Sequence, residues 1–344
     1  VARKDFPSAD RVLRRACGRE FTAAVARIEH RGRLAFERAY GVTRDDASSH
    51  PVYVDTRFDL ASLTKLFVAT LALRLVAAEK LRLDDVLAPV VAEWNSQSHA
   101  TITTRTLLAH TSGMNSGADY RSIGGENVER FALKRELVAS PGERVIYSDL
   151  GFIALGTLVS RITGRDLAAA TRETFATPTL GFQPRAAVRS AIPATEEDDW
   201  RGRVQGFVHD EKAYLMGGVA GHAGLFGTAA DVAALTEVYL GPHHDRPSAL
   251  LPAELAREAI REQAYDPVLR RGLGWALKTS DENSCGRWMD ASSFGHTGFV
   301  GTCVWADPVR DVQAVLLTNS VYFGRNETRA LRAAFYEAAI EELP

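Results

Sequence analysis

The sequence predicts an α/β (α+β) fold in which a mixed sheet, assembled from both ends of the chain and flanked by helices, carries an inserted, mostly helical domain. Three observations predict it. Strand-like runs lie between Thr22 and Tyr40 and again between Gly272 and Thr318, helical patterns dominate from about Ala77 to Glu262, and helical spacing recurs at each terminus. At 344 residues the chain exceeds the usual single-domain size, so residues 1–76 with 263–344 are expected to form the sheet domain and residues 77–262 the insertion.

The elements follow in chain order. Ala9 to Arg19 reads as a helix with Ser8 as its cap. Thr22–Glu29 and Leu34–Tyr40 form a hairpin around His30-Arg31-Gly32-Arg33, where Gly32 permits the left-handed turn. From Leu66 to Ala78 the chain is apolar almost all round, as expected of a helix buried between two layers. Asp149–Thr163 is a helix ended by Gly164, and Ala229–Leu240 is one ended by Gly241 and Pro242. Gly272–Lys278, Ser293–Gly298, Thr302–Ala306 and Val312–Thr318 are short strands bounded by turn residues such as Asp307-Pro308. Leu331, Phe335, Ala338 and Ala339 mark a last helix over 327–342.

Composition narrows the function classes. Hydrophobic content of 46% and charged content of 24% are those of a soluble globular protein, and a net charge of -2 gives no electrostatic ground for nucleic acid or an anionic membrane as partner. No apolar run reaches the roughly 18 residues of a transmembrane helix, and Val1 to Pro7 do not form a signal peptide. This favours a cytoplasmic location, with an export signal removed upstream of Val1 as the alternative. Cys17, Cys285 and Cys303 lack C-x-x-C spacing, so neither a disulfide framework nor a zinc site is indicated. His243-His244-Asp245 reads as a solvated loop, and no metal or cofactor is implied.

Chemistry begins at Phe58-Asp59-Leu60-Ala61-Ser62-Leu63-Thr64-Lys65. Positions i and i+3 share a helix face, so the Lys65 amine can reach the Ser62 hydroxyl and activate it as a nucleophile. Burial at the head of an apolar helix should lower the Lys65 pKa and make the neutral amine accessible. Alone, the pair reads equally as a helix cap with a surface lysine. A second segment, Pro141 to Phe152, places the Tyr147 phenol just before a helix that Asp149 is expected to cap. Tyr53-Val54-Asp55 repeats the Tyr-x-Asp spacing but lies in an extended approach and reads as structural. A third, Phe294 to Thr302, is a glycine-rich strand whose His296 and Thr297 side chains are expected to face the cleft.

Together and in this order, Ser62/Lys65, Tyr147/Asp149 and His296-Thr297-Gly298 resemble the Ser-x-x-Lys, Tyr-x-Asn and Lys/His-Thr-Gly elements of the serine β-lactamase and penicillin-binding-protein superfamily. The likeness is to the branch of class C β-lactamases, D-alanyl-D-alanine carboxypeptidases and family VIII carboxylesterases. Leu107 to Met114 and Gly221 to Thr228 are further family-like phrases, so the resemblance runs from roughly residue 20 to residue 320. It implies a β-lactamase/transpeptidase-like fold with the active site between the two domains. It also implies that Ser62 forms an acyl-enzyme, that Lys65 and Tyr147 exchange its proton, and that the Ser62 and Phe299 amides make the oxyanion hole. No metal is required. His110 and His222 are read as structural residues in loops.

Two departures from the family pattern matter. Asp149 stands where the family has Asn; a carboxylate accepts hydrogen bonds only, so it cannot donate to an acylamido carbonyl, and it should raise the Lys65 pKa. His296 stands where class C enzymes have lysine, so carboxylate recognition should be weaker and should follow imidazole titration. The reading is a serine hydrolase of a small-molecule or peptide ester or amide, carboxylesterase-like ahead of carboxypeptidase and β-lactamase, with walls from loops such as Asn115–Glu126 and Arg185–Asp210. A transacylase is compatible with the same acyl-enzyme, and a non-catalytic sensor or scaffold is the rival from another class.

Overall fold

The structure, a computed structural model, describes residues 5–94, 98–117, 120–123 and 128–343. Strands from the two ends of the chain join in one seven-stranded sheet. β1 (Ala23–His30) and β2 (Arg33–Gly41) form the N-terminal hairpin. β3 (Arg270–Arg271), β4 (Ala276–Leu277), β5 (Phe294–Thr297), β6 (Cys303–Asp307) and β7 (Val312–Thr318) come from the C-terminal part. The spatial order is β2-β1-β7-β6-β5-β4-β3, so the two ends of the chain meet at the β1–β7 ladder, with Val25 opposite Leu317. The mixed sheet expected from sequence is antiparallel throughout. The cause is local: β1 to β2 and β5 to β6 to β7 are joined by tight turns, which only antiparallel neighbours can accept.

Both faces of the sheet are covered, which explains its nearly continuous apolar central strands. Ala24, Ala26 and Ile28 of β1 and Ala314 and Leu316 of β7 bury against the terminal helices, α1 (Pro7–Ala16) and a C-terminal helix over Arg329–Glu341. The alternate residues, Ala23, Val25, Val315 and Leu317, face the second layer. That layer contains α2 (Thr64–Ala77), α3 (Asp149–Thr163), the short α4 (Glu211–Leu215) and α5 (Ala229–Leu240); the C-terminal helix is α6. α2 is buried on nearly every side from Thr64 to Leu73, as its all-round apolar sequence requires. None of the described helices is long and apolar enough to cross a membrane.

Two caps differ from expectation. α1 begins at Pro7, which puts Ser8 inside the helix, and the amides of Ser8 and Ala9 donate instead to the Glu342 carboxylate, at 2.8 and 3.3 Å. A proline at the first position has no N–H to satisfy, so the side-chain cap is dispensable there. At α3 the cap is Ser148, whose Oγ accepts the Gly151 amide at 2.9 Å, and Asp149 is left free for other partners. The expected strand over 272–278 is also broken, because Gly274 at φ +84° turns the chain between β3 and β4. That turn presses on α2, since a Cβ on Gly274 would stand 2.6 Å from the Ala69 methyl.

In the phrase Gly221-His222-Ala223-Gly224, Gly221 is required by its close approach to α3. A Cβ on Gly221 would lie 1.9 Å from the Phe152 carbonyl oxygen, and one on Gly156 would lie 3.0 Å from the Gly221 Cα. Backbone cannot yield as a flexible side chain does, so Gly221→Ala is expected to destabilise the fold by about 3 kcal/mol. Urea denaturation checks this: the midpoint should fall with the slope unchanged.

Candidate active site

Ser62 does not open α2 itself. It sits in a 3-10 turn, Ala61–Leu63, that leads into the helix, and Ala61 before it is held at φ +46°. That left-handed conformation is unfavourable for a residue with a Cβ, and surrounding bonds impose it. Asp59 is fully buried and accepts the Ala61 amide at 2.8 Å with one oxygen and the His209 amide at 2.7 Å with the other. The neighbouring Leu60 amide donates to Leu225 O, and Thr302 Oγ1 donates to Leu60 O. Four separate segments therefore fix the turn that carries the hydroxyl.

Lys65 is completely buried, and its Nζ has three partners: Ser62 Oγ at 3.0 Å, Asp149 Oδ1 at 2.8 Å and the His222 carbonyl at 3.1 Å. The ammonium also lies 4.9 Å from the centre of the Tyr147 ring. Burial alone would lower the Lys65 pKa, as expected from its position, but the Asp149 carboxylate and the Tyr147 phenol outweigh it, and the net shift is upward. Burial likewise opposes the Asp149 charge, and Lys65, His222 and Lys212 reverse that, which holds its carboxyl well below the usual range. At rest the site contains an ammonium–carboxylate pair beside the serine.

Tyr147 is placed by backbone on both sides. The Ile146 amide donates to His110 O at 2.7 Å and the Ser148 amide to His110 Nδ1 at 3.1 Å, while the His110 ring packs 4.6 Å from that of Tyr147. Burial, with Arg271 and Lys65 nearby, keeps His110 neutral, as an acceptor of an amide must be. His110 is thus structural, as the sequence suggested. His222 is more than that, because it gives its carbonyl to Lys65 and its Nε2 to Asp210, at 2.7 Å.

His296 and Thr297 end β5 beside Tyr147, and the strand bonds stop at Thr297. His296 is buried, its Nδ1 donates to the Thr297 carbonyl at 2.8 Å, and burial together with the Lys65 and Arg271 charges pushes its pKa down to about 3. The expectation of a titrating, carboxylate-binding His296 is therefore corrected: in the low dielectric between two cations the imidazole stays neutral. Gly298 abuts the nucleophile turn, with a Cβ there standing 2.9 Å from Leu60 O. Arg332 of α6, unforeseen from sequence, donates to Gly298 O at 2.8 Å and to Thr302 O at 3.4 Å, which steadies the turn bearing Phe299. The Phe299 side chain is exposed, flanked by the His209 ring and the Arg325 guanidinium.

Ser62, Tyr147, His296, Thr297, Gly298 and Phe299 all open on one cleft of about 840 Å³. Its other walls come from Pro267–Leu269, Glu282–Ser284 and Asn326–Arg329 rather than from the described residues of the loops at 115–126 and 185–210; within the first of those, residues 118, 119 and 124–126 lie outside the described residues. Arg271 also lines it. This guanidinium is buried, stands 5.3 Å from the Tyr147 ring centre, and has no partner for its Nε among the described residues.

Sequence reading missed Lys212, Asp210, Arg271 and Arg332; Asp210 and Lys212 sit in the charged run His209-Asp210-Glu211-Lys212 and Arg271 follows Arg270, so nothing local set them apart from surface charges. Lys212 Nζ bridges Asp149 Oδ2 at 3.0 Å and Asp210 Oδ2 at 3.3 Å. Asp149, Asp210 and His222 bring ligand atoms within 4.8 Å of one another, the geometry of a cation site, but the Lys212 ammonium already stands between the two carboxylates. Among the described residues His243, His244 and Asp245 do not converge as ligands; His244 Nε2 bonds the Pro308 carbonyl. Tyr53 is exposed and takes no part in the site.

The family model described as Beta-lactamase matches residues 10–338. An N-acetylmuramyl-L-alanine amidase of Bacillus subtilis (strain 168) is 30% identical, over 92% of this chain and 81% of the relative. Esterase EstB of Burkholderia gladioli is 30% identical, over 92% of this chain and 91% of the relative. Among solved structures, a penicillin-binding protein homologue from Caulobacter crescentus superposes with a TM-score of 0.78 at 20% identity, covering 98% of this chain and 97% of that one.

Proposed function

The chain belongs to the Beta-lactamase family and is a serine hydrolase, and from that premise we propose the roles of its residues and the bonds it prefers. Ser62 is the nucleophile that forms the acyl-enzyme. Lys65 and Tyr147 pass its proton to the leaving group, and the Ser62 and Phe299 amides receive the developing oxyanion. Thr297 and Gly298 line the strand along which the substrate lies. The single observation that supports this reading most is the 3.0 Å contact of Lys65 Nζ with Ser62 Oγ at the floor of an open cleft. The same reading sets the site where the sheet domain, residues 1–76 and 263–344, meets the helical insertion, residues 77–262.

An ester is the preferred substrate. Both Asp149 oxygens are engaged, one by Lys65 and one by Lys212, and neither can donate a hydrogen bond to the acylamido carbonyl of a β-lactam or peptide stem. The esterase named among the relatives accords with this preference. A second reading, a carboxypeptidase acting on a D-Ala-D-Ala terminus, draws on Arg271, whose buried guanidinium in the cleft suits a substrate carboxylate. A panel of p-nitrophenyl butyrate, a D-Ala-D-Ala peptide and nitrocefin separates the two. The ester should give the highest kcat/KM and nitrocefin a lower one; a nitrocefin value above the ester value would sink the ester reading, and a peptide value above both would favour the carboxypeptidase.

A further inference from the structure

Five groups behind the nucleophile close a ring. Lys65 Nζ contacts Asp149 Oδ1, Lys212 Nζ contacts Asp149 Oδ2 and Asp210 Oδ2, Asp210 Oδ1 contacts His222 Nε2, and the His222 carbonyl returns to Lys65 Nζ. Asp149 is therefore a carboxylate shared by two ammoniums. One belongs to the catalytic pair, and the other enters from α4, whose first residue, Glu211, also pairs with the cleft-lining Arg325 at 3.3 Å.

We propose that Lys212 is a positioning residue for acyl transfer: by occupying the second oxygen of Asp149 it limits that carboxylate's hold on Lys65 and lets Lys65 release its proton. The proposal rests on the roles given above to Ser62 and Lys65. Its physical basis is charge balance. The ring sets the Lys65 and Lys212 ammoniums against the Asp149 and Asp210 carboxylates; without Lys212, Lys65 would be the one ammonium left in it beside two carboxylates, and a buried ammonium facing excess negative charge keeps its proton. Lys212 is held on the inner side by these partners, with the Tyr120 ring centre 5.1 Å from its Nζ. Other titratable groups facing this assembly are Tyr147 before α3, His110, Arg271 on β3, His296 on β5, and Asp59 and His209 beside Asp210, and among the described residues none of them bonds Lys212. A carboxylate in place of the family's Asn and a lysine on its far oxygen thus act as one compensated unit.

The pH profile of kcat/KM for p-nitrophenyl butyrate tests this in the full chain. In Lys212→Met the acidic limb should move up by about one pH unit, because the base stays protonated to higher pH. Lys212→Gln, which keeps hydrogen-bond donors but loses the charge, should shift it the same way and stands in if the Met variant does not fold; Lys212→Arg should bring the limb back towards wild type. In an Asp149→Asn background, removal of Lys212 should move the limb by far less. An unchanged limb in the Met or Gln variant overturns the proposal. So does an equal displacement in the Asp149→Asn background, since Lys212 would then act on Lys65 through space rather than through Asp149. Turnover that survives Ser62→Ala is a different failure, that of the nucleophile assignment, and is read separately.

Discussion

Ser62→Ala should abolish covalent labelling by a fluorophosphonate probe and reduce ester turnover by about ten-thousand-fold or more. The hydroxyl is the proposed acyl acceptor, and it lies 3.0 Å from the buried Lys65 Nζ at the floor of the cleft. What remains is the small contribution of the oxyanion amides and of binding, which act without a nucleophile. The fold should survive, because Lys65 keeps its bonds to Asp149 and to the His222 carbonyl, and because the turn itself is held by Asp59 and Leu60 rather than by Ser62. Circular dichroism and a thermal melt unchanged beside lost labelling are the expected pair of results. Wild-type protein that takes no label would instead favour the non-catalytic scaffold.

Lys65→Met should be nearly as damaging to rate and more damaging to structure. It removes the group that exchanges the Ser62 proton, a role worth about a hundred- to ten-thousand-fold in known cases. Methionine fills most of the same volume, so the cost to the fold comes from lost bonds rather than from a cavity. The His222 carbonyl loses a buried donor, whereas Asp149 keeps Lys212 as its counter-ion, and the loss in stability is expected at about 2 kcal/mol. Lys65→Arg should not rescue activity, since a planar guanidinium cannot place one donor each toward Ser62, Asp149 and His222 from a completely buried site. Rapid-quench measurement of acylation with p-nitrophenyl butyrate checks the rate; acylation within tenfold of wild type would remove Lys65 from the proton path.

These two variants act on residues legible in the sequence, and the reason is local. A nucleophile and its activating amine must share a helix face, so Ser62 and Lys65 appear three apart. The burial of α2 follows from its all-round apolar sequence, and the end of α3 follows from Gly164, left-handed at φ +65°, whereas Gly241 after α5 stays helical and passes into a 3-10 turn with Pro242. The strands over 312–318 and 23–30 were legible as well, because a strand buried on both faces must be apolar at successive positions. Where an element depended on one unusual backbone angle, as at Gly274 between β3 and β4, sequence pattern alone extended β4 back across the turn to Gly272 and missed β3.

The state of the site was another matter. Burial of Lys65 pointed to a lowered pKa and Asp149 to a raised one, and only the 2.8 Å contact with Asp149 together with the Tyr147 phenol settled the sign as upward. His296 has an ordinary imidazole's chemistry until a buried position between two cations makes it permanently neutral. The cap of α1 comes from Glu342, at the opposite end of the chain, and the support of the oxyanion turn from Arg332 on α6. By itself the sequence determined the family, the fold class and which groups are proposed to react, because those rest on residue type and short spacing. Tertiary structure decided charge states, caps and cleft walls, because solvation and Coulomb interactions are set by whichever distant segments the fold brings within a few ångströms.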